Sequence, residues 1–278
     1  MSSLDNLKNE IRIINELGDI SEVLEQVAAK TIIETRETIL KSREYFDAAW
    51  EIYDVIRKLT DLGPDVYNKD LVVVMTPNRG MCGTLMNKVI RVGEELYKKY
   101  QADLLISGKK GHNHFANQDE RTIHFFSVPN EATYEDIEPL KDIVAKYARV
   151  HIVFPRYHSI SSQSVEIVSL KSVEDKRDDK AALEEKLIDS RRFIIEPNIG
   201  VVVNHVNKAI MGILFFSYFS ESLLAYNAAQ MIAMRDAHDN AQDELKTLNF
   251  RFNKMRREVI DSKMRDLYKF KYIIAAKS

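Results

Sequence analysis

Apolar residues recur at steps of three and four at both ends of the chain. Met231, Met234, His238, Ala241, Leu245, Leu248, Phe252, Met255 and Val259 keep an alternation of 3 and 4 over four heptads. This is the seam of a coiled coil. No proline follows Pro197, so most of the stretch 197–278 is predicted as one helix of about 70 residues, about 100 Å long at 1.5 Å per residue. An apolar seam of that length exceeds a compact domain and needs a partner.

Residues 3–62 supply one. Ser3 is a plausible N-cap with Asp5 in the first turn. The inward face is predicted to run through Leu4, Leu7, Ile11, Ile14, Leu17, Ile20, Leu24 and Val27, then Thr31, Thr35, Ile39, Phe46, Trp50 and Tyr53. An extra step of three after Ile14 breaks the heptad phase and predicts a kink or interruption at Gly18-Asp19. Gly63-Pro64 ends the helix. The two terminal helices enclose the middle of the chain and are therefore expected to pair antiparallel.

The middle follows another pattern. Short apolar runs at 70–75, 103–108, 122–126, 149–154, 164–170 and 191–195 read as strands, and 84–100 and 134–147 as helices. That alternation predicts a small parallel or mixed sheet covered by helices. The charged segment 174–180 reads as a solvated loop. The fold class is α/β: a long antiparallel two-helix coiled coil carrying an inserted Rossmann-like domain. The expected domains are an N-terminal shaft helix (1–63), an α/β foot (64–196) and a C-terminal shaft helix (197–278).

Composition narrows the function. A net charge of −2 gives no general case for nucleic acid, and one cysteine, Cys82, excludes an internal disulfide. The first ten residues carry charges and no apolar core, unlike a secretory signal. The most apolar run, 209–218, is too short to span a bilayer, so no direct membrane insertion is expected. Charge is uneven: residues 1–62 carry 13 acidic and 8 basic side chains, and 250–278 carry 9 basic and 3 acidic.

The candidate chemistry is thin. Asn78-Arg79-Gly80-Met81-Cys82-Gly83 lies where α/β proteins bind anions, between a strand and a helix. It matches neither a phosphate-binding loop nor a complete dinucleotide fingerprint, and a tight structural turn is the better reading. Cys82 reads as a packed small residue, and Gly108-Lys109-Lys110-Gly111 as a basic surface turn. His112, His114 and His124 have weak metal spacing. Asp236, Asp239 and Asn240 share one helical turn and read as a solvated or partner-facing edge. No nucleophile–base–orienter set occurs. No cofactor, metal or catalytic residue is expected, and the chain reads as a scaffold or moving part rather than an enzyme.

A run through Ser220-Glu221-Ser222, then Ala228-Ala229-Gln230-Met231-Ile232-Ala233-Met234-Arg235-Asp236-Ala237-His238-Asp239-Asn240-Ala241, resembles the signature of the gamma subunit of F-type ATP synthases. Phe252-Asn253-Lys254-Met255-Arg256-Arg257 also fits that family. Residues 78–83 are similar to its Asp-Arg-Gly-Leu-Cys-Gly, and 108–111 to its Gly-Arg-Lys-Gly. Phe154, Tyr157, Ser159 and Gln163 match its Tyr-x-x-Phe-x-Ser-x-x-x-Gln spacing, and Glu196-Pro197 its Glu-Pro. Residues 20–29 resemble its Ile-Thr-Lys-Ala-Met-Lys-Met-Val-Ala-Ala. The anchors are collinear over nearly the whole chain.

The departures are specific. The family's basic patch is acidic here, at Glu22 and Glu25. Its glycine after Cys-Gly is Thr84, and its arginine before the Met-Val-Ala-Met run is Gln230. Near the tip Asp261-Ser262-Lys263-Met264 replaces Thr-Gln-Glu-Leu, and Tyr268-Lys269-Phe270-Lys271-Tyr272 replaces a glycine-rich end.

The resemblance implies a non-catalytic central-stalk rotor that couples rotation of a membrane ring to ATP synthesis or hydrolysis. The implied partners are the alpha and beta subunits of the head, the epsilon subunit and the membrane c-ring, on the cytoplasmic face of the cell (inner) membrane. Leu24, Gln26, Gln230, Asp236, Asp239, Asn240, Arg251, Lys254, Arg256 and Arg257 are the implied partner-contact positions on the shaft. The basic tip is expected to restore attraction that the acidic first helix has lost. Three alternatives stay open: a rotor of a specialised F-type-like ATPase, an α/β enzyme with a coiled-coil dimerisation arm, and a coiled-coil adaptor for nucleic acid.

Overall fold

The computed structural model describes residues 3–58, 67–116, 123–126, 134–144, 146–171 and 199–275, with the side chains of 37–68 and some others outside the description. The elements are α1 (Ser3–Lys58), β1 (Tyr67–Met75), α2 (Leu85–Tyr100), β2 (Asp103–Ser107), α3 (Lys109–Phe115), β3 (Ile123–Phe126), α4 (Tyr134–Val144), β4 (Tyr147–Ser159), β5 (Ser162–Lys171) and α5 (Ile199–Ala275). The chain divides into two compact units, one of Met1–Val27 with Met231–Ser278 and one of Ala28–Gln230. The expected features at Ile39, Phe46, Trp50, Tyr53, Gly63-Pro64, 174–180, 191–195 and Glu196-Pro197 fall outside the described residues or side chains.

In the first unit the two helix ends pair antiparallel. Gly18 of α1 meets His238 and Ala241 of α5, and Glu25 meets Arg235. Moving up α1 thus moves down α5. On α5 the expected seam holds: Met231, Met234, Leu245 and Leu248 are buried, and His238, Ala241, Phe252 and Met255 are partly buried. It stops there. Residues 256–269 are all exposed, Val259 included, which corrects the expectation for that residue. The pairing explains the stop. Counting back from Gly18 opposite Ala241 places Ser3, the first described residue of α1, beside about residue 255. Beyond that point the described part of α1 has nothing to offer.

The expected phase break in α1 is not there. The helix runs unbroken from Ser3 to Lys58. The inward positions of the first unit are Leu4, Leu7, Ile11, Ile14, Gly18, Ser21 and Glu25, in steps of 3 and 4 throughout. Leu17, Ile20 and Val27, expected inward, are exposed. Hydrophobicity misled the reading, because small and polar residues hold the seam where two helices approach closely.

In the second unit Ala28, Ile32 and Thr35 of α1 are buried, and a five-stranded sheet has the order β3-β2-β1-β4-β5. β3, β2, β1 and β4 run parallel, and β5 closes antiparallel on β4 as a hairpin. The fully buried run Leu71, Val72, Val73, Val74 fits a central strand covered on both faces. On one face Val72, Val74, Leu104, Ile106 and Val153 pack with α2 residues Val89, Ile90 and Leu96. On the other, Leu71, Val73, Leu105 and Ile152 pack with Leu140 and Val144 of α4.

Two local expectations are corrected. Tyr147, expected to end a helix, opens β4 opposite Tyr67, where its hydroxyl donates to buried Asp103 at 3.0 Å. Lys109-Lys110-Gly111, expected as a turn, forms the first turn of α3. Its free N–H groups find acceptors after β1: Lys109 N–H donates to Asn78 Oδ1 at 3.1 Å and Gly111 N–H to Thr76 Oγ1 at 2.9 Å. Gly108 makes this turn possible, since its φ is +84° and a Cβ there would stand 2.1 Å from the Thr76 carbonyl oxygen.

Candidate partner-contact surfaces

A parallel sheet of this order reverses its direction of winding between β1 and β4, and ligands in such folds occupy the crevice at the carboxyl ends of those strands. Here a side chain of α5 fills that place. Tyr226 is buried beside Val74 of β1, Val153 of β4 and Cys82, and its hydroxyl donates to the carbonyl of Met75 at 3.0 Å. Burial, with Cys82 nearby, pushes its phenol well above the ordinary range. Phe215 lies eleven positions earlier on α5, about three turns, so both residues project from the same side of the helix. It enters the cluster on the opposite face of the sheet. One helix side therefore clasps the end of the sheet.

The loop after β1 is a turn, as expected. Met81 and Gly83 take φ of +66° and +59°. Cys82 is buried, and burial raises its thiol pKa, the reverse of an activated nucleophile. The histidines do not converge. His112 lies against Phe125 with ring centroids 4.2 Å apart and planes tilted by 34°, while His114 sits 3.7 Å from Glu94. Among the described residues no three His, Cys, Asp or Glu side chains gather as a metal site, and no described helix is long and apolar enough to cross a membrane.

The Ser220-Glu221-Ser222 run is buried on α5. Arg156 of β4 reaches Glu221 at 3.4 Å while donating to Glu166 of β5 at 2.8 Å. The hydrogen bond to Glu166 and then the charges of Glu166 and Glu221 raise the Arg156 pKa further. This serine–glutamate–serine run therefore locks α5 to the sheet through one guanidinium. Gln230 is partly buried at the end of the same unit.

In the first unit most of the implied contact positions face solvent. Gln26, Asp236, Asp239, Asn240, Arg251, Lys254, Arg256 and Arg257 are exposed, and Leu24 is partly buried. Arg256 and Arg257 lie on the stretch of α5 that has run past α1. Sequence reading placed Glu25 only in the altered basic patch and missed its pairing across the helices. It occupies a seam position, and its Oε1 accepts from Arg235 Nε at 2.9 Å and Nη2 at 2.7 Å. The signal was a lone carboxylate in an unbroken heptad register, visible once Gly18 is allowed on the inward face.

The comparisons agree in extent. The family model described as ATP synthase matches residues 3–268. The gamma chain of Chloroherpeton thalassium is 23% identical, covering 96% of both chains, and that of Mycoplasmopsis pulmonis is 23% identical over 96% of this chain and 98% of its own. Among solved structures, a mitochondrial ATP synthase of Euglena gracilis, OSCP/F1/c-ring in rotational state 3, aligns with a TM-score of 0.69 at 18% identity, covering 99% of this chain and 95% of its own. The central stalk and c-ring structure from Tetrahymena thermophila aligns at 0.59 and 17% identity, over 78% and 99%. At those identities the structural likeness carries the fold. With the family model spanning nearly the whole length and the relatives collinear from end to end, the chain belongs to the ATP synthase gamma-chain family.

Proposed function

We propose that the chain is the central-stalk rotor subunit of an F-type ATP synthase, coupling rotation of a membrane ring to ATP synthesis or hydrolysis in the head. ATP chemistry belongs to the head subunits; this chain supplies no catalytic group. The observation that carries the reading is the antiparallel pairing of the two chain ends, Gly18 with His238 and Glu25 with Arg235, in a chain related over its full length to gamma chains. A torque-bearing rod needs continuous helices with a register that cannot slip. An uninterrupted 77-residue α5, an uninterrupted 56-residue α1 and a cross-helix ion pair support that requirement.

In this reading the paired ends are the shaft inside the alpha–beta head, and the sheet domain is the foot that meets the c-ring and epsilon subunit. The exposed Asp236, Asp239, Asn240, Arg251, Lys254, Arg256 and Arg257, together with Leu24, Gln26 and Gln230, are the positions that touch the head. An asymmetric shaft pushes each catalytic site between open and closed states by contacting the two states differently, the requirement for any coupling device. The complex sits on the cytoplasmic face of the membrane. Affinity purification of the tagged chain from native membranes tests this. It is expected to bring down an ATPase whose two ring subunits each outnumber the chain, and recovery of the chain alone or as a homodimer overturns it.

A further inference from the structure

The amino ends of the strands gather cations. Strand pairing brings Lys69 of β1, Arg149 of β4 and Lys171 of β5 to one edge of the sheet, with Asp70 and Asp103 among them. Lys98 and Lys99 lie in the last turn of α2 at the same edge. Tyr100, which closes that helix, stacks on His151 of β4 with centroids 4.2 Å apart. Lys146 immediately precedes β4. Asp70 and Asp103 are buried, at 7% and 8% exposure. Asp70 accepts from Arg149 Nε at 2.7 Å, and Asp103 from the Tyr147 hydroxyl at 3.0 Å. Lys98 also bonds Glu94 at 2.7 Å. Lys69, Lys98, Lys99, Tyr100, Lys146 and Arg149 are exposed, and Lys99 Nζ stands 5.0 Å from the centre of the Tyr100 ring.

The course of α5 shows which way this edge faces. Lys208 of α5 pairs with Asp142 at 2.9 Å, in the last turn of α4, just before β4 begins. Further along α5, Tyr226 donates to Met75 at the carboxyl end of β1. The helix thus passes from the amino edge to the carboxyl edge of the sheet before it reaches Met231. In the rotor reading it then enters the head, which turns the amino edge toward the membrane.

We infer that this edge is an adsorption surface for anionic phospholipid headgroups, held by charge without insertion. Five of its six cations are lysines. A lysine is a mobile, hydrated point charge with no fork to match to a fixed carboxylate, which suits a diffuse charged surface. Tyr100 supplies among them the amphipathic ring that settles at headgroup level. A fluid layer of charge has no register, so it attracts the foot without resisting its rotation. The direction of the edge rests on the rotor reading; its cationic character does not.

The test uses the complex that carries this chain, released from native membranes, and phosphatidylcholine vesicles made with or without phosphatidylglycerol. The complex is expected to float only with the anionic vesicles, and less so as salt is raised. Lys69→Gln, Lys99→Gln and Lys146→Gln are each expected to weaken that binding about fivefold, the effect of about 1 kcal/mol. Lys109→Gln combined with Lys110→Gln removes exposed charge from the carboxyl edge and is expected to leave binding intact. In the intact membrane complex, p-benzoylphenylalanine at Lys146 is expected to form lipid adducts. Equal binding to neutral vesicles, equal losses from the carboxyl-edge pair, or a Lys146 adduct to protein alone would each overturn the lipid surface. Edge-specific vesicle binding with lipid adducts in membranes that lack ring subunits would keep it and overturn the rotor reading instead.

Discussion

Arg235 holds Glu25 across the two chain ends, with Nε and Nη2 both donating to the same carboxylate oxygen at 2.9 and 2.7 Å. The carboxylate is the more enclosed partner, at 21% exposure against 54% for the guanidinium. The resemblance puts Glu25 in the family's basic patch, and here its acidic side chain is paired inside this chain. Since the pair is partly solvated, each single reversal, Glu25→Arg or Arg235→Glu, is expected to cost on the order of 0.5–1 kcal/mol. The double swap should recover most of that loss. A double-mutant cycle read by thermal unfolding checks the coupling; strictly additive losses would show that the pair is incidental.

Gly18 separates two readings of α1. A hinge glycine would be damaged by alanine. Here Gly18 lies inside a continuous helix, and an added Cβ meets Ala241 Cβ at 3.5 Å, an ordinary contact. Gly18→Ala is therefore expected to stabilise by about 0.5–1 kcal/mol through helix propensity. Gly18→Leu should destabilise by overfilling the seam and displacing His238, whose Nδ1 lies 3.0 Å from the Gly18 carbonyl. Urea denaturation of both variants provides the comparison.

Tyr226 carries two separable contributions. Tyr226→Phe removes only the hydroxyl and leaves the Met75 carbonyl without that donor, an expected cost of about 1–2 kcal/mol. Tyr226→Ala also empties the space beside Val74 and Val153, for about 3–5 kcal/mol. Equal losses for the two would mean that packing contributes nothing there.

The α/β unit should weaken in mild acid. His151 is buried under the Tyr100 ring, with centroids 4.2 Å apart, its Nδ1 2.8 Å from Ser169 Oγ and its Nε2 3.7 Å from Asp70. Burial depresses its pKa below the ordinary value near 6.5, although Asp70 pulls the other way. A depressed histidine pKa means the unfolded chain takes up the proton first. The stability it contributes is therefore complete above about pH 6.5 and falls away as pH drops toward the folded value. Melting temperatures from pH 7.5 to 5 should decline more steeply in the parent than in His151→Gln.

The basic tip should act through charge. Arg256 and Arg257 are exposed on the stretch of α5 beyond α1, so reversing both to Glu is expected to lower ATP-driven torque or assembly at low ionic strength. Salt should narrow the difference, because exposed charges are screened within about 10 Å at 0.1 M. Unchanged rotation at low salt would remove these arginines from the contact set.

Most of the architecture was legible because it rests on period and punctuation. The seam from Met231 to Met255, the antiparallel pairing and the β1 to β4 strands all follow from apolar spacing. The α1 face was misread where the seam passes through Gly18, Ser21 and Glu25, because close packing there selects small size and a paired charge rather than hydrophobicity. The α3 helix hid behind Lys-Lys-Gly, since its first turn is held by Thr76 and Asn78, some thirty residues earlier. Tyr226 was invisible as the filler of the sheet crevice because its partner carbonyl, Met75, is 151 residues away.

The most direct test is rotation itself. Cys82 is buried, so a cysteine placed at exposed Ser161 of the β4–β5 hairpin can carry a reporter while the head is fixed to a surface. Unidirectional, ATP-dependent rotation of that reporter is expected, in discrete steps set by the symmetry of the head. ATP hydrolysis by the same immobilised complex with the reporter stationary would contradict it.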